Sequence, residues 1–501
     1  MTFRRWAAAP AFLALLCALL PLPPGIARAA DARPSAPLQL KPCRLEHPLK
    51  VSAREAECGT LRVPENYAAP NGRKISLFVA RVPAVSQRTK LDPLFVIAGG
   101  PGMASSSFYA SVSSAFERTR RERDILLVDQ RGTGRSNALD CEFDDTDIAD
   151  ASAERVVALT RTCADELRQS ADLRHYTTSV AIRDLDAVRA ALDYTRVSVY
   201  GVSYGSRVAQ HYARRFPNNT RALILDGVLH PGLVLGPAMA LDAEAALARI
   251  LTRCTADAAC RKAFGDPGAD YRALRTRLAE KPVPVNVPDP TTGKATAFAF
   301  ARAHLSAVLR LSSYSPEQAA LLPLALQLAN RDGNFGPLAS QFLMITRSLD
   351  DSFAYGMHNS VVCAEDVPLI DDAKLQRTAL AATHMGATQV DQLRAMCSVW
   401  DRGEVDEDFH QPLMSSAAAL LLSGSDDPVT PPAYADVAAR AFADQKHLTL
   451  PGFGHGQLTT PCVDRIIEAF LKTGTTRDLD TACTKALKPV PFFLSPAGPA
   501  P

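Results

Sequence analysis

The clearest pattern along the chain is a series of short, unbroken apolar runs, each closed by a turn. LFVIA at 94–98, DILLVD at 124–129, VSVYG at 197–201 and ALILDGV at 222–228 are of this kind. Apolar runs without alternation suit strands covered on both faces, as in a parallel sheet. Between the second and third runs, Ile182, Leu185, Val188 and Leu192 recur at helical spacing, so 180–192 reads as a helix lying on that sheet. A second helix, 204–216, follows VSVYG with only Val202 and Ser203 between. Upstream, LRVP and ISLFVARV within 59–82 read as strands joined by the turn Ala69-Pro70-Asn71-Gly72.

From about 231 the pattern changes. The stretch to 412 is rich in Ala, Leu and Arg at helical spacing, with few strand runs, and reads as an inserted helical domain. Strand signals return with AALLLSG at 418–424 and HLTLPG at 447–452, and 464–472 is a last amphipathic helix. The organisation expected is a Pro-rich start at 30–42, a core at 43–230, the insertion at 231–412, the core resumed at 413–475 and a loose tail at 476–501. Strand, helix, strand in this order predicts an α/β fold: an open, mostly parallel sheet with helices on both faces and a helical cap inserted.

Ahead of this lies a segment with the anatomy of an export signal. Arg4 and Arg5 precede the apolar stretch 11–20, and Ala27-Arg28-Ala29 suits cleavage after Ala29. Ten apolar residues are too few to span a bilayer, and no later stretch is long and apolar enough to do so. Export with cleavage is therefore expected, to the periplasm or beyond, without stable membrane insertion.

Composition adds exclusions. With 501 residues, 47% hydrophobic and 22% charged, the chain is neither disordered throughout nor polytopic. Its formal charge of +2 turns slightly negative once Arg4, Arg5 and Arg28 leave with the signal. Such a chain, without long basic runs, is not a nucleic-acid binder. Of 11 cysteines, all but Cys17 remain after cleavage, an even number that fits an oxidising compartment. Spacing does not fix their connectivity. The simplest pairing joins sequence neighbours: Cys43–Cys58, Cys141–Cys163, Cys254–Cys260, Cys363–Cys397 and Cys462–Cys483. No Cys/His cluster suggests a metal site, and no cofactor is expected.

The chemistry concentrates where strands end. Gly201-Val202-Ser203-Tyr204-Gly205 matches G-x-S-x-G between a buried strand and a helix, the setting of a nucleophile elbow. A serine hydroxyl needs a base, and the base needs an orienting acid. Among ten histidines, His455 stands in a glycine-rich loop after the last strand, whereas His211 lies on the helix after the elbow, and His230 and His358 are weaker candidates. For the acid, Asp427 in 424–431 competes with Asp426 beside it and with Asp226 at the end of ALILD. Asp427 is better placed, one strand–turn–helix–strand unit before His455. An oxyanion would be met by the N–H of Tyr204 and by that of Gly100 in the turn Gly99-Gly100-Pro101-Gly102. The run 129–136 (DQRGTGRS) lacks the Lys-Ser/Thr of a phosphate loop, and its charged residues are expected to brace neighbouring loops.

With these residues in place, the chain resembles the secreted α/β-hydrolases of the proline iminopeptidase and tripeptidyl aminopeptidase group. The resemblance is carried by GGPG at 99–102, DQRGTGRS at 129–136, GVSYGS at 201–206, LDGVLHP at 225–231, DPVTP at 427–431 and GHG at 454–456. The strand-rich start at 58–70 also matches, so most of the chain is covered. Ala98 stands where proline iminopeptidases have His before GGPG, which is commoner in the tripeptidyl aminopeptidase branch. The resemblance implies an exported serine exopeptidase acting on peptides with a free N-terminus through an acyl-enzyme on Ser203. It further implies that acids in the insertion hold the substrate's ammonium group, for which Glu365 and Asp366 are the candidates. A carboxylesterase or lipase-like hydrolase with the same machinery is the alternative, because ester and amide transfer share each of these steps. A binding module without activity would have no need of the elbow, base and acid together.

Overall fold

The structure is a computed structural model that describes residues 38–86, 91–141, 151–290, 292–350 and 353–498. The export signal at 1–29 and most of the Pro-rich start lie outside the described residues. Nine strands form one sheet in the order β1-β2-β3-β5-β4-β6-β7-β10-β11. β1 (Lys41–Glu46), β2 (Ala53–Pro64) and β3 (Lys74–Val82) are antiparallel, and β3 joins β5 (Ile125–Val128) in the same sense. From β5 onward, through β4 (Leu94–Ile97), β6 (Val197–Val202), β7 (Thr220–Asp226), β10 (Ala418–Gly424) and β11 (Gln445–Leu450), neighbours are parallel. The chain thus has the α/β-hydrolase fold expected.

The unbroken apolar runs are explained by burial on both faces. Every residue of β4, β5, β6 and β10 is buried. Alternate residues feed two cores: Val197 and Val199 join one, with Ile182, Leu185 and Val188 of the helix Thr178–Ala191, while Tyr200 and Val202 join the other, with Ile466, Ile467 and Phe470 of the helix Val463–Thr473.

Between β7 and β10 the chain builds a body of helices with a core of its own, which includes Leu247, Leu274, Leu305, Leu309, Leu326 and Phe342. It also holds a two-stranded antiparallel hairpin, β8 (Val283–Pro288) and β9 (Ala295–Phe300). The prolines of VPVNVP hide β8 in the sequence, since proline is tolerated only where a strand needs no ladder donor. The tail departs from expectation. Rather than loose, its Phe492 is buried against Ile250, Phe264 and the Cys254–Cys260 pair, with Arg253 stacked over its ring at 4.5 Å. Five disulfides join sequence neighbours, Cys43–Cys58, Cys141–Cys163, Cys254–Cys260, Cys363–Cys397 and Cys462–Cys483.

Candidate active site

Parallel pairing brings the strand ends level. Ile97 pairs with Gly201, Leu422 with Asp226, and Gly424 with Leu450. The turns after β4, β6, β7, β10 and β11 therefore meet at one carboxyl edge, where open α/β sheets bind ligands.

Ser203 occupies the turn between β6 and the helix Tyr204–Arg215, with φ 56° and ψ −125°. A left-handed backbone at a residue with a Cβ is strained, and the turn is tight enough to need both flanking glycines. A Cβ on Gly201 would lie 2.2 Å from the carbonyl oxygen of Gly205, and one on Gly205 would lie 2.5 Å from that of Ile97. A Cβ on Gly99 would stand 3.0 Å from that of Ser203, so the turn after β4 faces the serine. Tyr204 opens its helix, so its N–H has no acceptor within the helix. Its phenol is buried and shares a 2.6 Å hydrogen bond with Thr178 Oγ1. Gly100 has φ 110° and precedes a cis bond to Pro101.

Opposite the elbow, His455 Nδ1 lies 2.8 Å from Asp427 Oδ2. Asp427 is fully buried and also accepts the N–H groups of Val429 and Thr430, each at 2.8 Å. Thr430 Oγ1 donates to Asp427 Oδ2 at 2.7 Å and stands 3.0 Å from His455 Nδ1. Burial disfavours the Asp427 carboxylate, but the imidazole and these donors hold it below the usual range. Burial likewise disfavours the His455 imidazolium, yet Asp427 raises the ring above its ordinary value. An Nδ1–H shared with Asp427 leaves Nε2 as an acceptor. The Ser203 hydroxyl and His455 are not hydrogen-bonded to each other here, a looseness common before substrate arrives.

Asp226, the rival acid, has a different setting. Its carboxylate accepts the Gln457 N–H at 2.8 Å, the Leu458 N–H at 3.0 Å and the Tyr200 hydroxyl at 2.8 Å. It is thus tied to the loop after His455 rather than to the imidazole nitrogen. Burial pushes it up to about 6 despite those donors. Asp426 faces away, toward Arg249 and Arg253. Of the other histidines, His211 is bonded to Asp406 at 2.8 Å. His358 Nδ1 lies 3.2 Å from the Pro101 carbonyl, and burial drives its ring down to about 4.

Glu365 and Asp366 sit at the end of the helix Tyr355–Glu365, and both are buried. Arg207 Nη1 donates to both Asp366 oxygens, at 3.1 and 3.0 Å, and comes within 4.0 Å of Glu365. Glu365 accepts the Thr178 N–H at 2.6 Å and its hydroxyl at 3.0 Å. Burial, only partly offset by Arg207, pushes Glu365 up to about 8. The pair thus closes a buried network behind Tyr204 and is not open to an incoming ammonium group. The DQRGTGRS run braces its surroundings. Arg131 pairs with Asp184 at 2.6 Å and reaches the carbonyls of Glu65 and His175, while Asp129 accepts from Ser106 and Arg135.

Sequence reasoning missed Thr430 and two contacts from the insertion. The Tyr314 carbonyl accepts the His455 N–H at 2.8 Å, and the Tyr314 ring meets the imidazole edge-on at 4.9 Å. The Ala354 N–H donates to the Gly102 carbonyl at 3.0 Å. A threonine three residues after a candidate acid is the only one of these with a local signal, as an Asx-type turn.

Strand order, elbow and level strand ends define an α/β-hydrolase with the layout of a serine hydrolase. Its sequence resembles the TAP-like α/β-hydrolases. The signature described as "alpha/beta hydrolase fold" matches residues 92–275 and that of "TAP-like protein" matches 382–483. Serine protease Hip1 of Mycobacterium tuberculosis is 27% identical over 95% of this chain and 97% of its own. The tripeptidyl aminopeptidase of Streptomyces lividans is 32% identical over 35% of this chain and 36% of its own. Carboxylesterase B of M. tuberculosis is 27% identical over 86% of each.

Proposed function

We propose that the protein is an exported serine exopeptidase that removes residues or short fragments from free peptide N-termini. In this reading Ser203 Oγ attacks the scissile carbonyl carbon and passes its proton to His455 Nε2. Asp427 holds the ring and stabilises the imidazolium. The N–H groups of Tyr204 and Gly100 receive the oxyanion. The leaving amine takes the proton from His455, and water, activated by the same ring, then releases the acyl group. The observation that carries the reading is the Asp427–Thr430–His455 unit, closed by hydrogen bonds of 2.7–3.0 Å, on the sheet edge that holds the Ser203 elbow.

Export with cleavage after Ala29 is supported by the five disulfides, which persist in oxidising compartments. No helix among the described residues is long and apolar enough to cross a membrane. With Glu365 and Asp366 held by Arg207, the substrate's ammonium group needs another acid. Asp242 is the candidate. It is half-buried, accepts the Tyr434 hydroxyl at 2.6 Å, and is raised by burial and by the nearby Asp427 charge.

An esterase reading has its own support in the carboxylesterase relative and in the commitment of both expected acids to Arg207. A panel of free aminoacyl and tripeptidyl anilides, their N-acetylated forms, and short and long acyl esters decides, with Ser203→Ala as control. Cleavage of free-amine anilides that acetylation abolishes is the expected result. Turnover of esters alone, indifferent to the amino group, replaces the peptidase reading with the esterase one.

A further inference from the structure

A charged group without an opposite charge beside it, close to the reacting atoms, is one place where a substrate can be read. The insertion carries such a group to the reacting atoms. Arg310 lies in the last turn of the helix Arg302–Ser312, four residues before Tyr314. Tyr314 touches His455 twice, through its carbonyl at 2.8 Å and its ring at 4.9 Å. From that turn the guanidinium is an electrostatic neighbour of Tyr314, His455 and His358. His358 in turn is bonded to Pro101, in the turn that contains Gly100. The cation therefore stands near both the imidazole and the oxyanion turn.

The other arginines near this edge are occupied. Arg207 is held by Asp366, Arg131 by Asp184, and Arg249 and Arg253 lie within 4 Å of Asp426. Arg310 differs in having no carboxylate paired with it among the described residues; its side chain is hydrogen-bonded to that of Tyr314, and its Nε, like those of Arg207 and Arg253, is buried without a partner. The nearest catalytic acid, Asp427, is committed to His455 and Thr430. A half-buried guanidinium with no carboxylate beside it keeps N–H donors that match a carboxylate, and its partial burial strengthens the match.

We propose that Arg310 reads a carboxylate on the substrate, so that the site prefers peptides carrying an acid group close to the scissile bond. The group is either an acidic side chain or the C-terminal carboxylate of a short leaving fragment. Arg310 is then a specificity-determining residue, and the inference rests on Ser203 and His455 being the reacting pair.

The test measures kcat/KM for matched substrates with the wild type, Arg310→Gln and Arg310→Lys. One peptide pair differs by Glu or Gln beside the scissile bond, a second by a free or amidated C-terminus. A pair of esters, a monosuccinate and its neutral methyl diester, is run alongside. The wild type is expected to favour the acidic member of at least one pair about tenfold or more. Arg310→Gln removes that preference, chiefly through KM, while neutral substrates change far less; Arg310→Lys retains part of it. Which peptide pair responds identifies the source of the carboxylate. Equal turnover of every pair by the wild type overturns the inference, as does a preference that survives in Arg310→Gln. Equal loss on acidic and neutral substrates at unchanged Tm also overturns it. Should Arg310→Gln fail to fold, an unaltered acid preference in Arg310→Lys has the same force. If peptides are inert and esters are cleaved, the exopeptidase reading fails while the ester pair still reads Arg310.

Discussion

The Ser203 N–H donates to the Asp226 carbonyl at 2.8 Å. The carboxylate of the same aspartate accepts from Gln457 and Leu458, just beyond His455. One buried residue thus ties the candidate nucleophile to the loop of the candidate base. Asp226→Ala leaves two buried N–H groups without acceptors, at about 1–3 kcal/mol each. A lower Tm and a fall in kcat/KM of about ten- to a hundredfold are expected. Asp226→Asn keeps an acceptor but loses the charge that helps raise His455, so its pH–rate profile moves to lower pH. An unchanged profile in Asp226→Asn would refute the coupling.

Thr430 holds Asp427 and His455 together through one hydroxyl. Thr430→Val keeps the shape and removes the donor. Activity should fall by about one to two orders of magnitude with little change in KM, while Thr430→Ser keeps most of it. Steady-state kinetics of the two variants, with Tm as control, would show otherwise if Val were as active as Ser.

The pH dependence has a defined sign. His455 must be neutral to accept a proton, and its raised value means that kcat/KM climbs with pH through a point above the ordinary 6.5. The same ion pair stabilises the fold fully below the unfolded histidine's value, and that increment is lost as pH rises through the folded one. The fold therefore draws most from this pair where the enzyme is least active. Asp427→Asn should shift the rate limb to lower pH and reduce kcat by about 10⁴-fold. A limb that stays in place in this variant would assign it to another group.

Arg207 neutralises two buried acids, Glu365 and Asp366. Arg207→Met leaves them uncompensated and is expected to cost about 3–5 kcal/mol, measured by denaturant unfolding at pH 8. The deficit should shrink as pH falls and Glu365, already pushed up to about 8, takes a proton. A deficit independent of pH would contradict the role assigned to the pair.

What the sequence reveals and conceals follows from range. The elbow, Asp427 and His455 are legible because each lies in a turn whose small residues sit beside a buried strand. Glu365 and Asp366 are misread as substrate anchors because their partner, Arg207, is 159 residues from Asp366 in the chain. An acidic pair carries no local mark that its charge is already matched. Arg310 and Tyr314 read as part of one more amphipathic helix, since their significance arises only when the insertion folds back onto β11. The tail fails for a related reason. Proline-rich composition argues for looseness, yet a single Phe492 finds a buried site.

The insertion is bonded to both turns that face Ser203, through Tyr314 to His455 and through Ala354 to Gly102. A cover fastened in this way cannot swing aside like a lid without disturbing the reacting groups beneath it. His455 also follows the whole insertion in the chain. A chain folded only as far as β10 therefore has the candidate nucleophile without its candidate base.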